Sequence, residues 1–127
     1  MNTKQRILIV EDEIVVALFL EDVLADFGYE VAGVVSHLDV AMAREPDYDI
    51  ALLDVHINGH NVFDFADLLA SRDIPFVFAT GYGERGIPEH HRGRPVLQKP
   101  YQPEDLRRIL QEAMLAWDQG EKKISAA

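Results

Sequence analysis

The chain has no cysteine, which removes disulfides, thiolate nucleophiles and thiolate metal ligands and is compatible with a reducing compartment. Long apolar runs are also missing. The longest, Ile14 to Leu20, is too short to span a bilayer, and the amino end lacks the apolar core of a signal peptide. A cytoplasmic protein with no membrane partner is the expectation. Basic charge is scarce as well: 12 Lys and Arg stand against 22 Asp and Glu, a formal net charge of -10. Such a surface should repel nucleic acid phosphates, so direct DNA binding is not expected. No glycine-rich phosphate loop of the Walker or dinucleotide type follows the first apolar segment, where acidic residues would repel a pyrophosphate. A nucleotide cofactor is disfavoured.

What is present fits one soluble domain. At 127 residues the chain can bury roughly two thirds of the surface its unfolded form exposes. The stretch Asp49-Ile50-Ala51-Leu52-Leu53-Asp54-Val55-His56 holds four consecutive apolar residues, too few for a helix of ordinary length. They read as a strand buried on both faces, whose neighbours must then be parallel. In an open parallel α/β sheet the ligand site lies outside the carboxyl ends of the strands, where Asp54 would sit. A lone aspartate can equally cap a helix or turn.

Taken in order, Arg6 to Val10 is a first strand that ends in Glu11-Asp12-Glu13. From Glu13 to Phe27, Val16, Leu20, Val23, Leu24 and Phe27 share a helical stripe, and Gly28 is placed to end the helix. Ile14 and Leu18 fall off that stripe, on a second apolar face toward solvent or a partner. Glu30 to Val35 is strand two; Ser36 and Asp39 suggest a capping box for a short helix through about Arg44. Strand three carries Asp54, Asn58-Gly59 makes a turn, and a helix from about Asn61 to Ser71 buries Val62, Phe65, Ala66 and Leu69. Ile74 to Ala79 is strand four and hands over at Thr80. Between Tyr82 and Arg94 three glycines and Pro88 interrupt a polar segment, so a mobile loop is expected in place of a fourth helix. Arg94 to Gln98 is strand five, ending in Lys99-Pro100. In the last helix Pro103 suits the first turn, Glu104 and Asp105 suit the dipole, and Leu106, Ile109, Leu110, Ala113, Met114 and Trp117 repeat at helical spacing. Residues 119–127 read as a flexible tail.

The expected architecture is therefore a doubly wound five-stranded parallel α/β sheet with helices on both faces, the fourth helix short or disordered. Its strand ends gather Glu11, Asp12, Asp54, Thr80 and Lys99 along one edge, more than helix capping explains. Carboxylates in one cleft repel by roughly 4 kcal/mol per close pair at an effective dielectric near 20, so they call for a cation. An all-oxygen donor set suits Mg²⁺. A lysine and a hydroxyl opposite the metal are what a transferring phosphoryl group needs, and Asp54 remains as the nucleophile.

These residues resemble the receiver domains of two-component response regulators, a flavodoxin-like (CheY-like) fold, over residues about 5 to 118. The acidic pair Glu11-Asp12, the acceptor Asp54, the hydroxyl Thr80 and the Lys99-Pro100 dipeptide each stand at the matching strand end. The resemblance implies that Asp54 takes a phosphoryl group from a histidine kinase or histidine phosphotransfer protein. It also implies that Asp12, Asp54 and the backbone carbonyl of His56 bind Mg²⁺, with Glu11 acting largely through water, and that Lys99-Pro100 is a cis peptide. The run Pro75-Phe76-Val77-Phe78-Ala79-Thr80-Gly81-Tyr82-Gly83 is similar to the narrower FATGUY subgroup, usually stand-alone. In keeping with that subgroup, Val96 occupies the position of the usual switch aromatic, and the shortened glycine-rich segment after Thr80 replaces the usual signalling helix. A single-domain regulator working by protein contacts or as a phosphate sink is implied, with no catalysis beyond its own phosphorylation and dephosphorylation.

The alternative is a Mg²⁺-dependent phosphohydrolase of related architecture. His56 stands where haloacid-dehalogenase-type phosphatases place a second aspartate, which argues against it. His56 should overhang the phosphoryl site, either positioning water or as plain exposed loop. His90-His91 beside Glu89 reads as solvated loop, since two adjacent side chains on a polar loop seldom face one ion.

Overall fold

The structure is a computed structural model that describes residues 4–82 and 85–117; the expected tail at 119–127 lies outside them. Its elements in chain order are β1 (Arg6–Val10), α1 (Ile14–Asp26), β2 (Glu30–Val35), α2 (Leu38–Ala43), β3 (Ile50–Asp54), β4 (His56–Ile57), β5 (His60–Asn61), α3 (Phe63–Ser71), β6 (Phe76–Thr80), β7 (Val96–Gln98) and α4 (Pro103–Ala116). Five strands form one sheet in the order β2-β1-β3-β6-β7, every neighbouring pair parallel. The short β4 and β5 pair antiparallel as a separate ribbon.

Alternation along the strands sorts the core into two layers. Ile7, Ile9, Ile50, Leu52, Val77 and Ala79 pack against Leu20 and Leu24 of α1 and Leu106, Ile109 and Leu110 of α4. Their neighbours Leu8, Val10, Ala51, Leu53, Phe76 and Phe78 pack against Ala41 of α2 and Phe65, Ala66 and Leu69 of α3. Helices therefore cover both faces, as a parallel sheet requires. Gly28, at a φ of 90°, ends α1: its amide bonds Ala25 O, and the Tyr29 amide bonds Leu24 O.

Two helix starts differ from the expectation. The capping box at Ser36 and Asp39 does not form. His37 holds the cap position, one residue later, so the Ser36 hydroxyl meets His37 Nδ1 while Asp39 Oδ1 accepts from the Val40 amide. Asn61 belongs to the ribbon, and its side chain instead accepts the Phe63 amide where α3 begins.

The segment after β6 contains no α-helix among its described residues, only a 3₁₀ turn at Glu89–His91. The solvated position expected of His90-His91 holds for His90 but not for His91. Ile87 joins the core on the α2/α3 face, and His91 is only 1% exposed. Burial here comes from single anchors rather than a repeating stripe, so it leaves no periodic pattern in the sequence. Among the described residues no helix is long and apolar enough to cross a membrane.

Candidate functional site

Parallel register brings the strand ends level: Val10 pairs with Leu53, Asp54 with Ala79 and Thr80 with Gln98. The residues that end these strands or follow them directly, Glu11, Asp54, Thr80 and Lys99, then share one edge. Asp54, Thr80 and Lys99 open on a cleft of ≈ 590 Å³ that Asp12, His56 and Tyr82 also help to line.

Asp54 ends a strand buried along its whole length and is itself 7% exposed. Its Oδ2 accepts from Lys99 Nζ at 3.0 Å, and its Oδ1 lies 3.4 Å from the His56 amide. Glu11 is buried beside it. One Glu11 oxygen accepts the Glu13 amide at 3.1 Å, while Oε1 has no hydrogen-bond partner and lies 3.7 Å from Lys99 Nζ. Asp12 Oδ2 accepts the Asn58 amide at 2.8 Å. Thr80 Oγ1 accepts the Tyr82 amide at 3.1 Å, and Thr80 O accepts the Lys99 amide. The Lys99-Pro100 bond is cis.

The electrostatics follow from burial. Burial pushes the Glu11 carboxyl up to about 7, and the nearby Asp54 charge adds to this against the lowering effects of the Glu13 amide and Lys99. Burial works against the Lys99 charge, but its hydrogen bond to Asp54 and the charges of Asp54, Glu11 and Glu13 outweigh it and raise the ammonium pKa. One carboxylate oxygen from each of Glu11, Asp12 and Asp54 lies within 4.8 Å of the others. Three carboxylates this close, one of them the buried Glu11 whose Oε1 accepts no hydrogen bond, are a donor set that a hard dication fits.

Asn58 and Tyr101 also take part in the site, without a sequence signal that names their partners. Asn58, at a φ of 51°, donates its amide to Asp12 and its side-chain nitrogen to Ser36 O at 2.7 Å, tying the ribbon to the loops after β1 and β2. The Asn58-Gly59 turn signalled the bend but not these partners. Tyr101 lies with its ring 5.8 Å from Lys99 Nζ. Burial, then the Glu11 and Asp54 charges, push its phenol far up, so it stays protonated. An aromatic two residues past the lysine was its only signal.

Beside the cleft, α1 leaves an unusual amount of apolar surface uncovered. Ile14 is 75% and Leu18 56% exposed, as the off-stripe positions predicted, and Val15 and Phe19 add to them. Val15, Val16 and Phe19 face Pro100 and Tyr101 across an apolar groove.

A five-stranded parallel α/β domain with an acidic pair after the first strand, an aspartate ending the third, a hydroxyl ending the fourth and a Lys-Pro after the fifth defines a recognisable class. No protein-family model matches the chain. The solution structure of SdrG from Sphingomonas melonis Fr1 is 39% identical, covering 90% of this chain and 99% of that one at a TM-score of 0.79. Two-component response regulator ARR14 of Arabidopsis thaliana is 32% identical over 121 residues, 86% of this chain and 31% of that protein. Transcriptional regulatory protein PdtaR of Mycobacterium tuberculosis is 30% identical over 110 residues, 80% of this chain and 53% of that protein. The chain thus spans about a third to a half of the length of these two curated relatives. It belongs to the family of response regulator receiver domains, and its sheet and helices have the CheY-like arrangement of that family. This favours a response regulator over the phosphohydrolase alternative.

Proposed function

We propose that residues 5–118 act as a phosphoryl-accepting receiver in a two-component phosphorelay, with a histidine kinase or histidine phosphotransfer protein as donor. An Asp54 carboxylate oxygen attacks the donor's phosphorus, the phosphorus–nitrogen bond breaks, and the imidazole leaves with the electron pair, so that an acyl phosphate forms on Asp54. The observation that carries the reading is the Lys99 ammonium, held 3.0 Å from Asp54 Oδ2 and 3.7 Å from a buried Glu11 oxygen that accepts no hydrogen bond.

Asp12, Asp54 and the His56 carbonyl would hold Mg²⁺, with Glu11 acting through water. The ion would supply the positive charge that lets an anionic donor approach three carboxylates. Lys99 and the Thr80 hydroxyl bind phosphoryl oxygens once they arrive. No turnover of free substrates is expected beyond self-phosphorylation and autodephosphorylation. The FATGUY assignment rests on the run Pro75–Gly83, on Val96 in place of a switch aromatic, and on the absence of an α-helix among the described residues between β6 and β7. It implies a readout by protein contacts, or a phosphate-sink role, rather than a threonine–aromatic rotamer switch.

Acetyl phosphate with Mg²⁺ tests this directly. Intact-mass spectrometry should show one added phosphoryl group, absent in Asp54→Asn and absent in excess chelator. An adduct that persists in either condition overturns the assignment, and rapid turnover of p-nitrophenyl phosphate would favour a phosphohydrolase.

A further inference from the structure

Adjacent side chains seldom converge on one ion, but His90 and His91 do converge in this fold. The 3₁₀ turn lays both rings on one side with centroids 4.1 Å apart. Each Nε2 meets the same oxygen of α3: Asp67 Oδ1 lies 2.9 Å from His90 and 2.7 Å from His91. We propose that Asp67, His90 and His91 form a binding site for a borderline transition-metal dication such as Zn²⁺, separate from the Asp54 cleft.

Two imidazoles and a carboxylate are a three-ligand zinc set with a fourth position left for water. Bonds of about 2.0–2.1 Å in a tetrahedron place neighbouring ligand atoms about 3.3 Å apart, so the present contacts need to open by only about half an ångström. The side chains of Asp67 and His90 are both more than half exposed, which gives the ion and its water a way in. His91 is held between the rings of Phe63, Phe76 and Phe78, which fixes its orientation. The two clusters would sort metals by donor type: imidazole favours zinc, and the all-carboxylate cleft favours magnesium.

Arg94 supplies the coupling. In the metal-free fold its Nε donates to His91 Nδ1 at 3.1 Å, so the His91 proton sits on Nε2, facing Asp67. Coordination through Nε2 moves that proton to Nδ1, where Arg94 can no longer donate, and the guanidinium must turn away. The Arg94 guanidinium lies over Phe76 and Trp117, at 4.9 and 5.2 Å from their ring centres. Trp117, the single tryptophan, therefore reports metal capture.

The test uses the full chain with Mg²⁺ in millimolar excess, titrated with ZnCl₂ by calorimetry and by Trp117 fluorescence. One zinc per chain and a change in Trp117 emission are expected. His90→Ala, which removes an exposed ring and leaves the core untouched, should weaken binding on the order of tenfold or more, while Asp12→Ala leaves it unchanged. No zinc binding, zinc binding with the same affinity in His90→Ala, or binding that disappears in Asp12→Ala would each overturn the proposal.

Discussion

Lys99→Ala separates the two carboxylates that the lysine serves. Glu11 keeps its proton far more readily in the folded chain than in the unfolded one, with a value pushed to about 7 against an ordinary 4.5. A group raised in this way contributes stability that is complete below about 4.5 and is lost as pH climbs through 7. At pH 5 Glu11 is protonated with or without Lys99, so the substitution costs only the Asp54 contact. At pH 8 Glu11 is charged, and the lysine 3.7 Å away matters. Coulomb's law at that separation brackets the interaction between roughly 1 kcal/mol at the dielectric of water and roughly 4.5 kcal/mol at an effective dielectric of 20. Lys99 is about a quarter exposed, which places the expected difference near 1–2 kcal/mol after solvent screening. Urea unfolding followed by Trp117 fluorescence, in chelator at pH 5 and pH 8, measures it. Lys99→Ala should be more destabilising at pH 8 by that margin; equal losses at the two pH values would refute the pairing of Lys99 with Glu11.

Ile14→Glu or Leu18→Glu should slow phosphotransfer from the cognate kinase about tenfold while leaving acetyl phosphate labelling unchanged, since the exposed α1 face lies beside the cleft without lining its phosphoryl end; loss with both donors would indicate a damaged fold. Thr80→Ala removes the acceptor of the Tyr82 amide and should cost about 1 kcal/mol of stability, yet abolish the stabilisation that beryllofluoride with Mg²⁺ gives the parent chain; thermal melts with and without the mimic compare the two effects. His91→Ala empties a site among three phenylalanines and leaves Asp67 and Arg94 each one hydrogen bond short, so a loss of roughly 2–4 kcal/mol is expected in chemical unfolding, and a loss under 1 kcal/mol would show that the turn carries little of the core.

The strand ends were legible because each functional residue follows an apolar run whose length and β-branching declare a strand. Once five such runs alternate with helices, topology alone aligns Glu11, Asp54, Thr80 and Lys99. Contacts set by loop geometry were not legible. Nothing local ties Asn58 to Asp12, 46 residues away, or His91 to Asp67, 24 residues away. The burial of His91 was hidden for that reason: Arg94, three residues on, meets one ring nitrogen, but the partner of the other, Asp67, is supplied only by the fold. In α1 the stripe of Val16, Leu20, Val23, Leu24 and Phe27 marked the helix and its inner face, but the seven consecutive apolar residues from Ile14 blurred the edge of that face. Ile14 and Leu18 stood off the stripe, whereas the exposure of Val15 and Phe19 depends on how the loop at Pro100 and Tyr101 passes the helix.

The ribbon between β3 and α3 has a thermodynamic consequence. Its six residues, His56 to Asn61, are closed at the base by the Val62 amide on Val55 O at 2.9 Å and stitched at the tip by the two Asn58 bonds. Left as free coil, a segment of that size would lose roughly 1–2 kcal/mol of conformational freedom per residue on being ordered around a ligand. Here the ordering happens during folding, with the core as its driving force. The loop that follows Asp54 therefore meets an incoming ion or phosphoryl donor as a rigid wall, and the free energy of capture remains available for affinity. A substitution that loosens Asn58 would remove no side chain named in the cleft and still weaken its ligands, because it frees both this loop and the Asp12 carboxylate that the Asn58 amide holds.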